Sequence, residues 1–311
     1  MTKKELIECH SRVKPYIHNT PVLTSRLINK RIGADVFFKC ENFQKAGAYK
    51  IRGATNAIMQ LTDTQKQNGV VTHSSGNFAQ ALSLAARSLN VNAYIIMPSN
   101  SPQVKKNAVL EYGGEVIECE PTIDARQKTA DDIANKTGAK FIHPSNNPKV
   151  ILGQGTAGLE LLLEQPNLDY IFCPIGGGGL IAGTALASTY FSNKCKVIGG
   201  EPYEADDAYR SLISGKIETN VTANTIADGL RTQLGSYNFP IIQEYVTRII
   251  RVTENEIIQA MQFIWERMKI IIEPSSAVAF AALEKEKESF KNQSIGVIIS
   301  GGNVDVNQLP F

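Results

Sequence analysis

Short apolar runs alternate with amphipathic stretches along most of the chain. Val70 to His73 reads as a strand, and a helical stretch follows from Asn77 to Leu89. Ala93 to Met97 is again strand-like. Pro102 to Tyr112 is helical, with a proline at the start, where the first turn has no use for its N–H. Val116 to Cys119 and Ile123 to Thr137 repeat the strand–helix order. Tyr170 to Cys173, Val197 to Gly200 and Ile295 to Ser300 add strands with helical segments between them. Repeated alternation of this kind predicts an α/β fold of doubly wound parallel sheets with helices on both faces. No internal repeat or low-complexity linker interrupts it.

The stretch from Val70 to Phe141 reads as a compact block of βα steps. This predicts a small domain over 61–146 and a larger one assembled from 1–60 and 147–311. Two such blocks facing each other leave a cleft, and open α/β sheets bind ligands beyond the carboxyl ends of their strands. The segments that follow strands are therefore where chemistry is expected.

Composition removes several classes of function. The 311 residues are 43% hydrophobic and 20% charged, with a formal net charge of +2, which points to neither nucleic acid nor a membrane surface. Met1 to His10 lacks the apolar stretch of a secretory leader, and no run is apolar for long enough to cross a bilayer, so a cytoplasmic location is the expectation. The five cysteines, Cys9, Cys40, Cys119, Cys173 and Cys195, are odd in number and form no CxxC pair, and there are four histidines. A disulfide scaffold, a structural zinc and a His-based metal centre are all disfavoured.

Three post-strand segments are rich in Gly, Ser and Asn. In the first, a strand runs into Gly176, Gly177, Gly178 and Gly179 and then into a helix of small residues. Backbone N–H groups without Cβ atoms around them can close on an anion, and the helix start adds roughly half a positive charge. The segment also fits a dinucleotide fingerprint, with Gly177, Gly179 and Ala182 as G-x-G-x-x-A and Glu201 as the ribose acid, which would make a nicotinamide enzyme. The second segment is Ser74-Ser75-Gly76-Asn77, which reads either as a helix cap or as a carboxylate site. The third is Ser300-Gly301-Gly302-Asn303, which alone is a chain reversal. Lys50, flanked by Ala48, Tyr49 and Ile51, is set in apolar surroundings that would depress an amine pKa towards a nucleophilic state.

Together these segments resemble the serine racemase and threonine (serine) dehydratase group of fold-type II pyridoxal-phosphate (PLP) enzymes. The resemblance runs from Pro21 to Asn303. Its markers, in the family's order, are AYKIRGA (Ala48 to Ala54), SSGN (Ser74 to Asn77), GQGT (Gly153 to Thr156), GGGGLIAG (Gly176 to Gly183), EPSSAV (Glu273 to Val278) and SGGN (Ser300 to Asn303). It implies two α/β domains like those of the tryptophan synthase β chain, with PLP in the cleft. The nicotinamide reading gives no account of Lys50 and gives way to it.

The resemblance implies a role for each residue. Lys50 would hold PLP as a Schiff base and move the Cα proton on one face. Gly176 to Gly179 would hold the phosphate, Ser300 would pair with the pyridine nitrogen, and Asn77 would donate to the phenolic oxygen. Tyr49 and Gly229 would sandwich the ring. Ser74, Ser75 and Asn77 would grip the substrate carboxylate. The implied reaction is β-elimination from L-serine or L-threonine to a keto acid and ammonia, with serine racemisation and 3-hydroxyaspartate dehydration as alternatives. Ser75 bears on the choice, because a second acid/base group opposite Lys50 permits racemisation while elimination needs one side only. Its bland reading is a capping hydroxyl. A catalytically silent PLP-binding sensor is a different class, and the complete set of Lys50, Ser75, Asn77 and Ser300 argues against it.

The resemblance also places Glu201, the Ala205 carbonyl and Asp207 around a divalent cation, Mg²⁺ or Ca²⁺ with Mn²⁺ as a further candidate. Without it, these residues read as an acidic loop at a helix start. A homodimer is implied, as is a nucleotide effector near Gln80 and Tyr112. Departures from the family pattern are Phe78 where His is usual, Tyr49 where Phe is usual, and Ser145-Asn146 in place of Pro-Asn or Phe-Asp. The chain ends soon after SGGN, so a C-terminal regulatory domain and its feedback inhibition are not expected.

Overall fold

A computed structural model describes residues 1–311. Its strands are β1 (Val22–Leu23), β2 (Asp35–Cys40), β3 (Val70–His73), β4 (Ala93–Pro98), β5 (Glu115–Cys119), β6 (Lys140–Phe141), β7 (Tyr170–Pro174), β8 (Lys196–Pro202), β9 (Val246–Val252) and β10 (Ser294–Ile299). They form a 6-stranded sheet in the order β1-β2-β10-β7-β8-β9 and a 4-stranded sheet in the order β5-β4-β3-β6. Every pairing is parallel except β1 with β2 at one edge. The α/β class read from the alternation is the class observed.

The central strand β10 shows why the large sheet is parallel and covered. Ile295, Val297, Ile298 and Ile299 are all fully buried, a continuous apolar run with no solvated face. One apolar cluster lies on the side of Phe38, Phe172 and Phe280. The other joins Ile171 and Cys173 of the large sheet to Ile95 and Met97 of the small one through the helices Lys50–Met59 and Pro148–Glu164.

The helix Pro148–Glu164 approaches both Lys50–Met59 and Gly179–Phe191 closely because it meets each at glycines. A Cβ on Gly153 would lie 2.4 Å from the Gly53 Cα, and one on Gly155 would lie 2.6 Å from the Gly183 carbonyl oxygen. Both positions belong to GQGT, so this motif packs helices against one another.

Beneath the same helix Arg52 is fully buried, yet every charge beside it is matched. Its guanidinium donates to Glu41 at 2.7 and 2.8 Å, to Glu160 at 2.7 and 2.8 Å, and to Thr156 at 3.1 Å. Buried Lys39 of β2 adds a 2.9 Å contact to Glu160. Burial opposes ionisation of Glu160, but His10, Arg52 and Lys39 outweigh it and hold the carboxyl well below its usual range. The network fixes the helix that begins at Lys50.

Candidate active site

Backbone and side-chain contacts join the Lys50 segment to the segments that follow β10 and β3. Ala48 forms an isolated antiparallel bridge with Gly301. Tyr49 N–H donates to the Ser300 carbonyl at 3.0 Å, and Gly302 N–H donates to the Gly47 carbonyl at 2.9 Å. Asn303 Nδ2 then donates to Ala46 O at 2.9 Å and to Asn77 Oδ1 at 3.0 Å, tying in the second segment. A left-handed turn at Ala46 (φ 57°) and Gly47 (φ 69°) allows this approach, with the Asn303 side chain filling the space a Cβ on Gly47 would need.

Lys50 opens its helix inside this junction. Its amine lies 5.0 Å from the Tyr49 ring centroid and 5.9 Å from that of Phe78, and it donates to Pro144 O at 3.3 Å. Desolvation lowers its pKa to about 8, against the opposing pull of Glu273. Phe78, a departure from the family pattern, is 2% exposed and so forms part of the apolar wall beside the amine.

Asn77 Nδ2 points at the Glu273 carboxylate, at 2.9 and 3.0 Å from its oxygens. Burial raises the Glu273 pKa to about 7. Ser300 is buried, with its Oγ 3.0 Å from that of Ser276. Gly229 N–H donates to Ser275 Oγ at 3.0 Å. The Ser74–Asn77 turn leads into the helix Asn77–Ser88, whose N-cap is Gly76 with no side-chain cap. The capping reading of Ser75 and its neighbours therefore does not hold for this helix.

The glycine loop sits at the end of β7. Gly178 has φ +77° and is the N-cap of the helix Gly179–Phe191, again without a side-chain cap. A Cβ on Gly177 would stand 2.4 Å from Ser145 Oγ. Ser145 belongs to a turn that His143 holds, its Nδ1 accepting from the Ser145 and Asn146 N–H groups at 3.2 and 2.8 Å. Burial, with His73 and Lys50 nearby, lowers the His143 pKa to about 4, so this acceptor is neutral at pH 7. Asn238 Nδ2 ties the turn to the loop by donating to Ser145 O at 3.3 Å and to Gly177 O at 2.8 Å.

Comparison with known proteins gives the same answer. Residues 13–301 match the family model described as pyridoxal-phosphate dependent enzyme. The chain belongs to this family. It is 48% identical to the serine racemase of Dictyostelium discoideum over 99% of this chain and 97% of that one. It is 44% identical to the β-hydroxyaspartate dehydratase of Paracoccus denitrificans over 100% and 98% of the two chains. A crystal structure of serine racemase from Dictyostelium discoideum superposes with a TM-score of 0.95 at 49% identity, covering 98% of this chain and 99% of that one.

The residues present fit the family's cofactor. An uncapped helix start behind four glycines suits a phosphate. A half-buried lysine with a depressed pKa suits attachment to an aldehyde. The buried hydroxyl of Ser300, in the turn paired with the Lys50 segment, suits a ring nitrogen. The dinucleotide alternative fails at its acid, because Glu201 is fully buried and its oxygens accept from Ala208 and Tyr209 N–H at 2.9 and 2.8 Å.

Glu201 and Asp207 are both fully buried. Asp207 accepts from Asn220 Nδ2 at 2.6 Å and from Leu234 N–H at 3.2 Å. Burial raises both carboxyls, that of Asp207 to about 6, and Asp207 adds to the upward shift of Glu201. No group of three or more His, Cys, Asp or Glu side chains is placed to hold a metal ion, so a cation here would depend on the two carboxylates together with backbone oxygen. The acidic-loop reading captures the helix-start contacts of Glu201 but not this burial. Glu273, Ser276, Asn303 and His143 carried no role in the sequence reading. The EPSSAV and SGGN motifs contain three of them, and their contacts come from elements far apart in the chain.

Proposed function

We propose that the protein acts at Cα of a small hydroxy amino acid, interconverting L- and D-serine and eliminating water from L-serine, L-threonine or 3-hydroxyaspartate. The sequence reading puts elimination first. The names of the relatives, a serine racemase and a β-hydroxyaspartate dehydratase, bring racemisation to the front and keep the acidic substrate in view. The observation that carries the proposal is the backbone pairing of the Lys50 segment with the Ser300 turn, which brings a low-pKa amine and a buried hydroxyl into one junction.

When bound, PLP delocalises the electron pair left as the Cα–H bond breaks. The protein supplies the rest. Lys50 carries the cofactor and moves a proton on one face of Cα. Ser75 moves a proton on the other, which racemisation requires. Gly176 to Gly179 hold the phosphate, Ser74 and Asn77 with their backbone amides orient the substrate carboxylate, and Tyr49 and Gly229 flank the ring. Phe78 keeps water from the amine.

The same reading includes a division into a small domain over 61–146 and a large one from 1–60 and 147–311. It includes a divalent cation held by Glu201, the Ala205 carbonyl and Asp207, a homodimer, and a nucleotide effector near Gln80 and Tyr112.

The test is to incubate the holoenzyme with L-serine, D-serine, L-threonine and L-threo-3-hydroxyaspartate and to follow keto acid and chirality together. Formation of both D-serine and pyruvate from L-serine supports the proposal. A holoenzyme that changes none of the four substrates refutes it.

A further inference from the structure

The residues His143-Pro144-Ser145-Asn146 lead from β6 to the helix Pro148–Glu164. Pro144 has no N–H, so the first free backbone donors after His143 are those of Ser145 and Asn146. Both converge on one atom, His143 Nδ1, at 3.2 and 2.8 Å. A backbone N–H can only donate. Nδ1 must therefore keep its lone pair, shared between the two donors, and the ring hydrogen must sit on Nε2. An imidazolium, or the tautomer with hydrogen on Nδ1, would set a third N–H against the other two. Burial, with His73 and Lys50 adding to it, keeps the ring neutral at pH 7.

The turn touches two parts of the candidate site. Pro144 O accepts from the Lys50 amine at 3.3 Å. Ser145 is buried against the glycine loop. A Cβ on Gly177 would stand 2.4 Å from its Oγ, and one on Gly179 would stand 3.1 Å from its Cα. Asn238 Nδ2 donates to the carbonyls of Ser145 and Gly177, at 3.3 and 2.8 Å, so one side chain clamps turn and loop together. Asn146 Oδ1 accepts from the N–H of Tyr237, the residue before that clamp, at 2.7 Å. The turn thus meets the loop through close packing and a shared clamp, and meets the amine through a single long hydrogen bond.

We propose that His143 is a positioning residue that, through Nδ1, sets the turn holding the glycine loop in the shape that binds the cofactor's phosphate. The proposal rests on the reading of Gly176 to Gly179 as the phosphate site. His143 acts through Ser145 and not on the phosphate itself. Without its acceptor, two N–H groups of the turn lose their partner, and the loop loses the wall that Ser145 provides.

The test compares wild type with His143→Asn, His143→Gln and His143→Leu. Asn offers Oδ1 close to the place of Nδ1, Gln carries its acceptor one bond further out, and Leu has none. Absorbance titration of each apoprotein gives the Kd for PLP and for 5′-deoxypyridoxal, which keeps the ring and the aldehyde but has no phosphate. His143→Leu and His143→Gln should weaken PLP about tenfold, as expected when a partly buried donor is orphaned, and change the 5′-deoxypyridoxal Kd by less than about threefold. His143→Asn should stay within about threefold of wild type for both ligands. Ring ¹⁵N shifts of the wild-type protein give the tautomer. The His143 signals are identified, among those of four histidines, by their loss in His143→Asn. They should show Nδ1 without hydrogen at pH 7. If His143→Leu has no melting transition, His143→Gln decides. Equal weakening of both ligands, an unchanged PLP Kd in the folded Gln and Leu variants, a loss in His143→Asn as large as theirs, or a hydrogen on Nδ1 would each overturn the positioning role. If wild type binds 5′-deoxypyridoxal as tightly as PLP, the reading of the glycines as a phosphate site fails, and the role of His143 falls with it.

Discussion

Lys50 is the residue proposed to carry PLP, and its depressed pKa of about 8 gives that role a direct kinetic consequence. The neutral amine attacks an aldehyde and the ammonium does not. Uptake of PLP by the apoprotein should therefore quicken by about tenfold per pH unit below pH 8 and level off above it, whereas an ordinary lysine would still be gaining near pH 10. Stopped-flow absorbance of the bound cofactor checks this. Ser75→Ala should remove racemisation and action on D-serine while leaving more of the elimination from L-serine, because Lys50 is untouched. Losing one positioned acid/base group typically costs a factor of about 10² to 10⁴. Equal losses in both activities would assign Ser75 to the loop instead. Lys50, Asn77 and Ser300 were legible in the chain because each sits in a short motif after a predicted strand. Glu273 and Ser276 were not, because their importance lies in contacts with Asn77 and Ser300, 196 and 24 residues away along the chain.

At the scale of elements, the site depends on how the helix Lys50–Met59 is held. Replacing Arg52 by Met removes the cation between Glu41 and Glu160 and leaves both carboxylates buried. A loss of about 3–5 kcal/mol in urea unfolding is expected. A loss under about 1 kcal/mol would mean that the network adds little. Gly155→Ala places a methyl group against the Gly183 backbone, and overpacking of this kind destabilises by about 1–3 kcal/mol. Strands β3, β4, β5, β7, β8 and β10 were legible from their apolar runs, within one or two residues at each end. Strands β1, β2, β6 and β9 were not picked out. β1 and β6 have 2 residues each, too short for a pattern. β2 carries Lys39, whose charge breaks the apolar run yet is fully buried because Glu160 meets it from another helix. β9 carries Arg248 and Arg251 and follows the helix Phe239–Tyr245 without a break.

Across the whole molecule, the parallel α/β class and the gathering of ligand-binding segments at strand ends follow from the alternation itself. The order of strands in the large sheet does not, because β2 and β10 come from opposite ends of the chain. No helix is long and apolar enough to cross a membrane. If the proposed cation rests on Glu201 and Asp207, both fully buried, its binding is linked to stability. Mg²⁺ at about 100 times its Kd should stabilise the native state by about 2.7 kcal/mol, read as a higher Tm that chelator reverses. Glu201→Gln with Asp207→Asn should abolish the response, and an equal response in that variant would place the cation elsewhere. Three distant segments converge at Lys50, the residue proposed to carry PLP. Reduction of the holoenzyme with borohydride, followed by peptide mass mapping, tests this role most directly. The pyridoxyl group should be found on the peptide containing Lys50, and the visible band should be missing in Lys50→Ala. A label on any other lysine, or a visible band unchanged in Lys50→Ala, would contradict the account.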